Sequence, residues 1–75
     1  MNNTKRKRLK TAITLIEQAN DIISDVAENE QDCLDNMPEN LQMSDRYETM
    51  ENCVSSLEDV VSQLDNAVEG IEGVI

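Results

Sequence analysis

The stretch of sequence that decides the fold is residues 43–75, MSDRYETMENCVSSLEDVVSQLDNAVEGIEGVI. Its apolar residues recur in alternating steps of four and three, at Met43, Tyr47, Met50, Val54, Leu57, Val61, Leu64, Val68, Ile71 and Ile75. A hydrophobic period of about 3.5 residues, kept over this length, is typical of an α-helix that winds around a partner helix. The pattern therefore predicts one long helix over about residues 44–72, with Ser44 as its N-cap.

The two flanks of this heptad pattern differ in chemistry. With Tyr47 at position a, the g positions are apolar, at Cys53, Val60, Ala67 and Val74. The e positions are all acidic, at Glu51, Glu58, Asp65 and Glu72. The second helix is therefore predicted to have an apolar flank on one side of its stripe and an acidic flank on the other.

The first half of the chain also has helical spacing, with a broader apolar stripe. The predicted stripe comprises Leu9, Ala12, Ile16, Ala19, Ile23, Val26, Cys33 and Met37, and Glu30 interrupts it once. Further apolar residues flank it, at Ile13, Leu15, Ile22, Ala27 and Leu34. Because Pro38 disfavours helical backbone at the preceding residue, we expect a first helix over about residues 4–36, capped by Asn3 or Thr4.

The connection over residues 37–43 is short, and short helix–helix connections place the two helices side by side in antiparallel orientation. Leu41 is expected to be buried there against the helix ends. The predicted fold is all-α, a single antiparallel helical hairpin of coiled-coil type over residues 1–75.

A two-helix hairpin does not bury all of this apolar surface. In an antiparallel pair the g flanks adjoin each other, which predicts an apolar strip formed by Leu15, Ile22, Cys53, Val60, Ala67 and Val74. Two copies pressed strip to strip would form a homodimeric four-helix bundle, which is the expected assembly. A strip reserved for a different protein is the competing explanation. A parallel two-stranded coil through the second helix is less favoured, because the first helix would lose its partner.

The charge is unevenly distributed along the chain. Among 75 residues there are 16 acids and 6 bases, giving a formal net charge of -10. Five bases lie within residues 1–10. All the acids lie within residues 11–75, where Arg46 is the only base. An acidic body is repelled by phosphates, so direct nucleic acid binding is not expected. Without a long apolar run or a signal-peptide core, we expect no membrane association, and the two cysteines, expected to be free, favour a cytoplasmic location.

The sequence lacks the usual combinations of catalytic residues. There is no histidine, so the commonest general base is absent, and no glycine-rich phosphate loop occurs. The acids between Asp35 and Asn40 do not match a calcium-binding EF-hand loop, which requires a central glycine and a glutamate at its twelfth position. Cys33 and Cys53 lack metal-ligand spacing and are expected to be free, buried and offset along the hairpin. We therefore predict no catalytic residues, no cofactor and no metal.

Acidic residues of the first helix form a ridge. Its members are Glu17, Asp21, Asp25, Glu28, Asp32, Asp35 and Glu39. Neighbouring carboxylates on such a ridge are about 5–6 Å apart, comparable with phosphates along a nucleic acid strand. The ridge is either a solubilising outer face or a nucleic-acid mimic that binds a basic groove on a protein partner.

Two basic features have alternative interpretations. The run from Lys5 to Lys10 either contacts an external anionic partner or compensates Glu69, Glu72 and the terminal carboxylate across the hairpin. The second interpretation is favoured. Arg46 is expected to bind a turn carboxylate such as Glu39, with a partner contact as the second choice.

The turn resembles a known group of proteins. Residues 36–42, NMPENLQ, followed by Ser44, Arg46, Glu48, Met50 and Glu51, are similar to small acidic helical proteins encoded by phages and prophages of Gram-positive bacteria. The resemblance covers about residues 28–72, and Tyr47 and the cysteines depart from it. It implies a phage accessory protein, a class that often blocks a host enzyme or a defence nuclease, for example of the CRISPR type. It implies no activity for any individual residue.

Three functional hypotheses follow. The first is a non-enzymatic, phage-encoded inhibitor that binds a host or defence protein through its acidic ridge. The second is a structural or regulatory coiled-coil module whose oligomerisation is its function. The third is a chain that folds fully only on a partner, because it has few aromatic residues and repels itself electrostatically.

Overall fold

A computed structural model describes all 75 residues of the chain. Helix α1 spans Asn3–Asp35, a short 3-10 helix spans Glu39–Leu41, and helix α2 spans Asp45–Glu72. The two long helices pack along each other and give a rod whose Cα atoms extend over 59 × 15 × 12 Å. The predicted all-helical hairpin is confirmed.

Side-chain caps define where both long helices begin. The cap of α1 is Asn2, whose Oδ1 accepts the backbone N–H of Lys5 at 2.8 Å, so the cap lies before the predicted Asn3 or Thr4. The cap of α2 is Ser44, as predicted, and its Oγ accepts the N–H of Tyr47 at 3.2 Å. Each cap supplies an acceptor to one of the N–H groups that a helix start leaves unpaired.

The turn is organised by hydrogen bonds and not by a buried apolar residue. Leu41 is 47% exposed, so the expected burial of this side chain is wrong. The Oγ of Ser44 donates to the carbonyl of Leu41 at 2.6 Å, and the side-chain amide of Gln42 donates to the carbonyl of Met37 at 3.2 Å. Polar side chains thereby satisfy backbone groups of the connection.

Helix α2 packs through the face that its heptads predict. Val54 is buried, and the other members of its stripe are half-buried from Tyr47 to Ile75. Met43 lies before the helix and is 94% exposed, so it does not belong to the packed stripe.

Helix α1 packs through a different face from the predicted one. Ile13, Ala27 and Leu34 are its buried residues, whereas Val26 and Cys33 are exposed. The packed stripe comprises Leu9, Ile13, Ile16, Asn20, Ile23, Ala27, Glu30, Leu34 and Met37. The predicted stripe was therefore wrong at Ala19, Val26 and Cys33, which are exposed, whereas Ala12 is half-buried. Burying Ile13 and Leu34 removes more apolar area from water than burying Ala19 and Cys33 would, which offsets the presence of Asn20 in the seam.

The core of the hairpin is small. Only 4 of the 75 residues are buried, and all four are apolar. Several large apolar side chains remain on the outside, including Leu15, Ile22 and Val74. The fold thus satisfies its backbone within two helices but leaves much apolar surface in contact with water.

Candidate protein-interaction surfaces

Contacts between the helices identify which flanks of α1 and α2 lie together. The side-chain amide of Asn20 donates to Asp65 Oδ1 at 2.8 Å. Ser24 and Gln31 of α1 line a shared hollow with Glu58 of α2. The acidic e flank of α2 therefore lies beside this side of α1, and the apolar g flank of α2 lies on the opposite side of the seam.

That opposite side carries no charge over most of its length. It is called the charge-free face and comprises Ala12, Leu15, Ala19, Ile22, Val26, Asn29 and Cys33 of α1 with Thr49, Cys53, Ser56, Val60, Gln63, Ala67, Gly70 and Val74 of α2. Charged residues make up 29% of the chain, yet none occupies these positions. Depletion of charge is the compositional feature of the buried centre of protein–protein interfaces.

The predicted strip residues all lie on the charge-free face. Leu15 and Val74 are each 59% exposed and Ile22 is 65% exposed. Cys53 and Ala67 are exposed as well, and Val60 is half-buried. Apart from Val60, which is partly covered within the hairpin, these side chains are exposed and free to contact another molecule.

The face also contains residues that the sequence analysis assigned to the seam. Ala12, Ala19, Val26 and Cys33 lie at g positions once α1 is placed in its observed register. Together with Leu15 and Ile22 they form a second stripe with heptad spacing on α1. Two such stripes on one helix are typical of a helix that packs against two neighbours. The broad apolar pattern of α1 in the sequence includes both stripes.

The cysteines lie close to the same level of the rod, and not offset as expected. Counting thirteen residues from the Asn20–Asp65 bond along each helix brings Cys33 opposite Asn52, the neighbour of Cys53. Both thiols are free and exposed, so the expectation that they are buried is wrong.

The acidic residues occupy the other side and the back of the rod. This acidic side comprises Glu17, Asp21, Asp25, Glu28, Asp32 and Asp35 of α1 with Glu48, Glu51, Glu58, Asp65, Glu69 and Glu72 of α2, and all are exposed. Glu39, the last predicted member of the ridge, lies in the 3-10 helix. The only side-chain donors to carboxylates are the amides of Asn20 and Gln31. The other carboxylates therefore face solvent without a hydrogen-bonding partner from this chain.

The basic residues remain largely separate from these acids. No side-chain hydrogen bond joins the run from Lys5 to Lys10 to α2, and the Nη1 of Arg6 donates only to Asn3 Oδ1, at 3.4 Å. The Arg46 side chain forms no hydrogen bond to the predicted Glu39. These cations are thus available to charges outside the hairpin.

Three further findings concern metal-ligand clusters, membrane-spanning helices and similarity to known proteins. No group of three or more His, Cys, Asp or Glu residues is placed to hold a metal ion. Neither helix combines the length and apolar character needed to cross a membrane. Comparisons with protein-family models, curated proteins and solved structures find no match. The charge-free face and the acidic side are therefore the two candidate interaction surfaces of the hairpin.

Proposed function

We propose that this chain is a non-enzymatic protein-binding module that works as a homodimeric four-helix bundle. The charge-free face would form the contact between two copies, and the acidic side would remain outside. The observation that carries the proposal is the separation of apolar and acidic residues onto different sides of one rod. A purely solubilising surface needs no such separation, because its charges function equally well on every side.

The energetics of the hairpin support association. With only 4 buried residues, a single copy has little core to oppose the conformational entropy of 75 ordered residues. Two helices, each roughly 10 Å across, present a face along the 59 Å length of the rod. That face is large enough for the roughly 800 Å² per partner that a stable interface buries.

The proposed bundle is tested by placing a charge in the charge-free face. Ile22→Glu should convert the dimer to a monomer, because Ile22 is 65% exposed in the hairpin and would be buried only between copies. Sedimentation equilibrium gives the mass of each species.

The matched control is Ser62→Glu, which adds the same charge at an exposed position of α2 outside the charge-free face. It should leave the dimer intact. A wild-type chain that sediments as a monomer at concentrations well above micromolar would contradict the bundle.

A second function is favoured by the unpaired carboxylates of α1. We propose that the acidic ridge of α1 binds a basic nucleic-acid-binding groove on another protein, as expected for a phage-encoded inhibitor of a host or defence nuclease. Asp21, Asp25, Glu28 and Asp32 lie on one rigid helix, exposed and without a basic partner from this chain. A fixed row of charges binds without the entropy cost of ordering a flexible segment.

Charge reversal tests this second function. The triple substitution Asp25→Lys, Glu28→Lys and Asp32→Lys should abolish capture of a basic protein from a bacterial lysate, because the row of negative charge becomes positive. A short DNA duplex should release the protein that the wild-type chain captures, and raising the salt concentration should do the same.

The control reverses Glu51, Glu58 and Glu72 of α2, which changes net charge equally and leaves the row on α1 intact. Equal loss of capture in both variants would indicate non-specific attraction and would refute mimicry by the ridge.

A further inference from the structure

The charge-free stripe of α1 has cations at one end. Continuing its spacing toward the N-terminus places Lys5 and Arg8 at the next two positions after Ala12. Lys5 and Arg8 are exposed, and their side chains donate no hydrogen bond to α2. The open end of the hairpin is therefore basic on the face that would meet a second copy.

The turn end of the rod has the opposite charge. Asp32, Asp35, Glu39, Asp45 and Glu48 lie there within one or two helical turns of the connection, and Arg46 is the only base. Because the rod is 59 Å long, its two ends are several Debye lengths apart at physiological salt. Each end is thus an independent charged patch, and at the open end the five bases within residues 1–10 outnumber Glu69, Glu72 and the terminal carboxylate.

Two hairpins can be stacked face to face by a two-fold axis in only two ways. If the axis runs along the rods, both basic ends lie together and both acidic turns lie together. If the axis runs across the rods, each basic end lies beside the acidic turn of the other copy. Opposite charges attract and like charges directly opposed are unfavourable, so the second arrangement has the lower electrostatic energy.

We infer that the occupant of the charge-free face is a second copy in the opposite direction, with each open end beside the other copy's turn. This inference rests on the proposed dimeric bundle and adds its direction. Helix α1 then packs against α1 of the second copy. The charge-free stripes of the two α1 helices overlap most when the two-fold axis passes near Ile22, midway between Ala12 and Cys33. Arg8 of one copy then lies level with Met37 of the other, close to the levels of Asp35 and Glu39.

The shape of α2 suits the same arrangement. Thr49, Asn52, Cys53, Ser56 and Leu57 line a shallow hollow on the charge-free face near the turn end. The Asn20–Asp65 bond places Ile22 of α1 opposite Gln63 of α2, so a two-fold axis near Ile22 also passes near Gln63. That axis places Val74 of the second copy opposite Asn52, within this hollow. Val74 is 59% exposed in the single hairpin, so it is free to fill the hollow.

Thiol cross-linking tests the direction. In the variant A12C/C53S the two cysteines lie at positions 12 and 33 of one helix, about 32 Å apart, too far for a short bis-maleimide to join within a chain. The opposite-direction bundle brings position 12 of one copy beside Cys33 of the other, so a covalent dimer should form. The variant C53S, which keeps only Cys33, should give no covalent dimer, because the Cys33 thiols of the two copies would lie far apart.

The reciprocal experiment uses an equimolar mixture of C33S and C53S chains, each with one cysteine. Bundles that run in the same direction place Cys33 of one copy beside Cys53 of the other, and only they would cross-link in this mixture. Cross-linking of the mixture, and not of A12C/C53S, overturns the inferred direction while the dimer itself stands. A wild-type chain that is monomeric by sedimentation overturns both the direction and the proposed bundle.

Discussion

Asn20 is a polar residue in the seam of the hairpin. Its amide nitrogen donates to Asp65 Oδ1 at 2.8 Å, but its own Oδ1 is buried and has no partner. A buried acceptor without a hydrogen bond lowers stability by about 1 to 3 kcal/mol. The same residue favours the observed alignment over a slip of one helical turn, because such a slip would move Asp65 away and leave the amide nitrogen unpaired as well. Asn20 thus exchanges some stability for a more specific alignment of α1 on α2.

The substitution Asn20→Leu should therefore raise the free energy of unfolding by about 1 to 2 kcal/mol, because it removes the unpaired acceptor and extends the apolar stripe. Urea denaturation at one fixed protein concentration measures the change. The control Asn66→Leu alters an exposed position of α2 and should change stability by less than about 0.5 kcal/mol. A destabilised Asn20→Leu variant would show that the hydrogen bond to Asp65 outweighs the buried acceptor.

At the scale of the element, the start of α2 depends on one hydroxyl. Ser44 Oγ accepts the N–H of Tyr47 and donates to the carbonyl of Leu41, so it joins the helix to the preceding 3-10 turn. Asp45 and Glu48 follow in the first turn, where negative charge interacts favourably with the helix dipole. These local interactions position the whole length of α2 relative to the turn.

The substitution Ser44→Ala should lower the free energy of unfolding by about 1 kcal/mol, the usual contribution of an N-cap hydroxyl. Thermal denaturation followed by circular dichroism reports the loss. Ser62→Ala serves as the control, since Ser62 lies exposed inside α2 and alanine is the better helix former there. If both variants were equally stable, the cap would contribute nothing to the fold.

At the scale of the whole molecule, the hairpin has one narrow seam and two chemically different outer sides. Its long dimension, 59 Å against 15 and 12 Å, leaves nearly every residue within reach of solvent. Folding as a single copy therefore removes little apolar area from water, and association through the charge-free face removes more. In the proposed dimer the stability of the chain depends on its concentration, so unfolding is measured at one fixed concentration.

Much of this architecture could be predicted from the sequence. The heptads of α2 determine its packed face, because one apolar stripe with an acidic column beside it has only one favourable orientation. Ser44 and Pro38 mark the limits of the connection through local backbone chemistry alone. The acidic ridge on α1 follows from residue spacing, since positions three and four apart always share a helix surface.

The seam of α1 was decided by tertiary packing. Its apolar residues form two overlapping stripes with the same spacing, and sequence periodicity does not distinguish them. Only packing against α2 selected the stripe with Ile13 and Leu34 and left Val26 and Cys33 outside. The positions of Cys33 and Cys53 relative to each other along the rod likewise depended on the length of the turn, because the turn determines which residues of α1 and α2 lie opposite each other. Local spacing determines which faces a helix has, whereas the choice between them depends on the area that each buries against a neighbour.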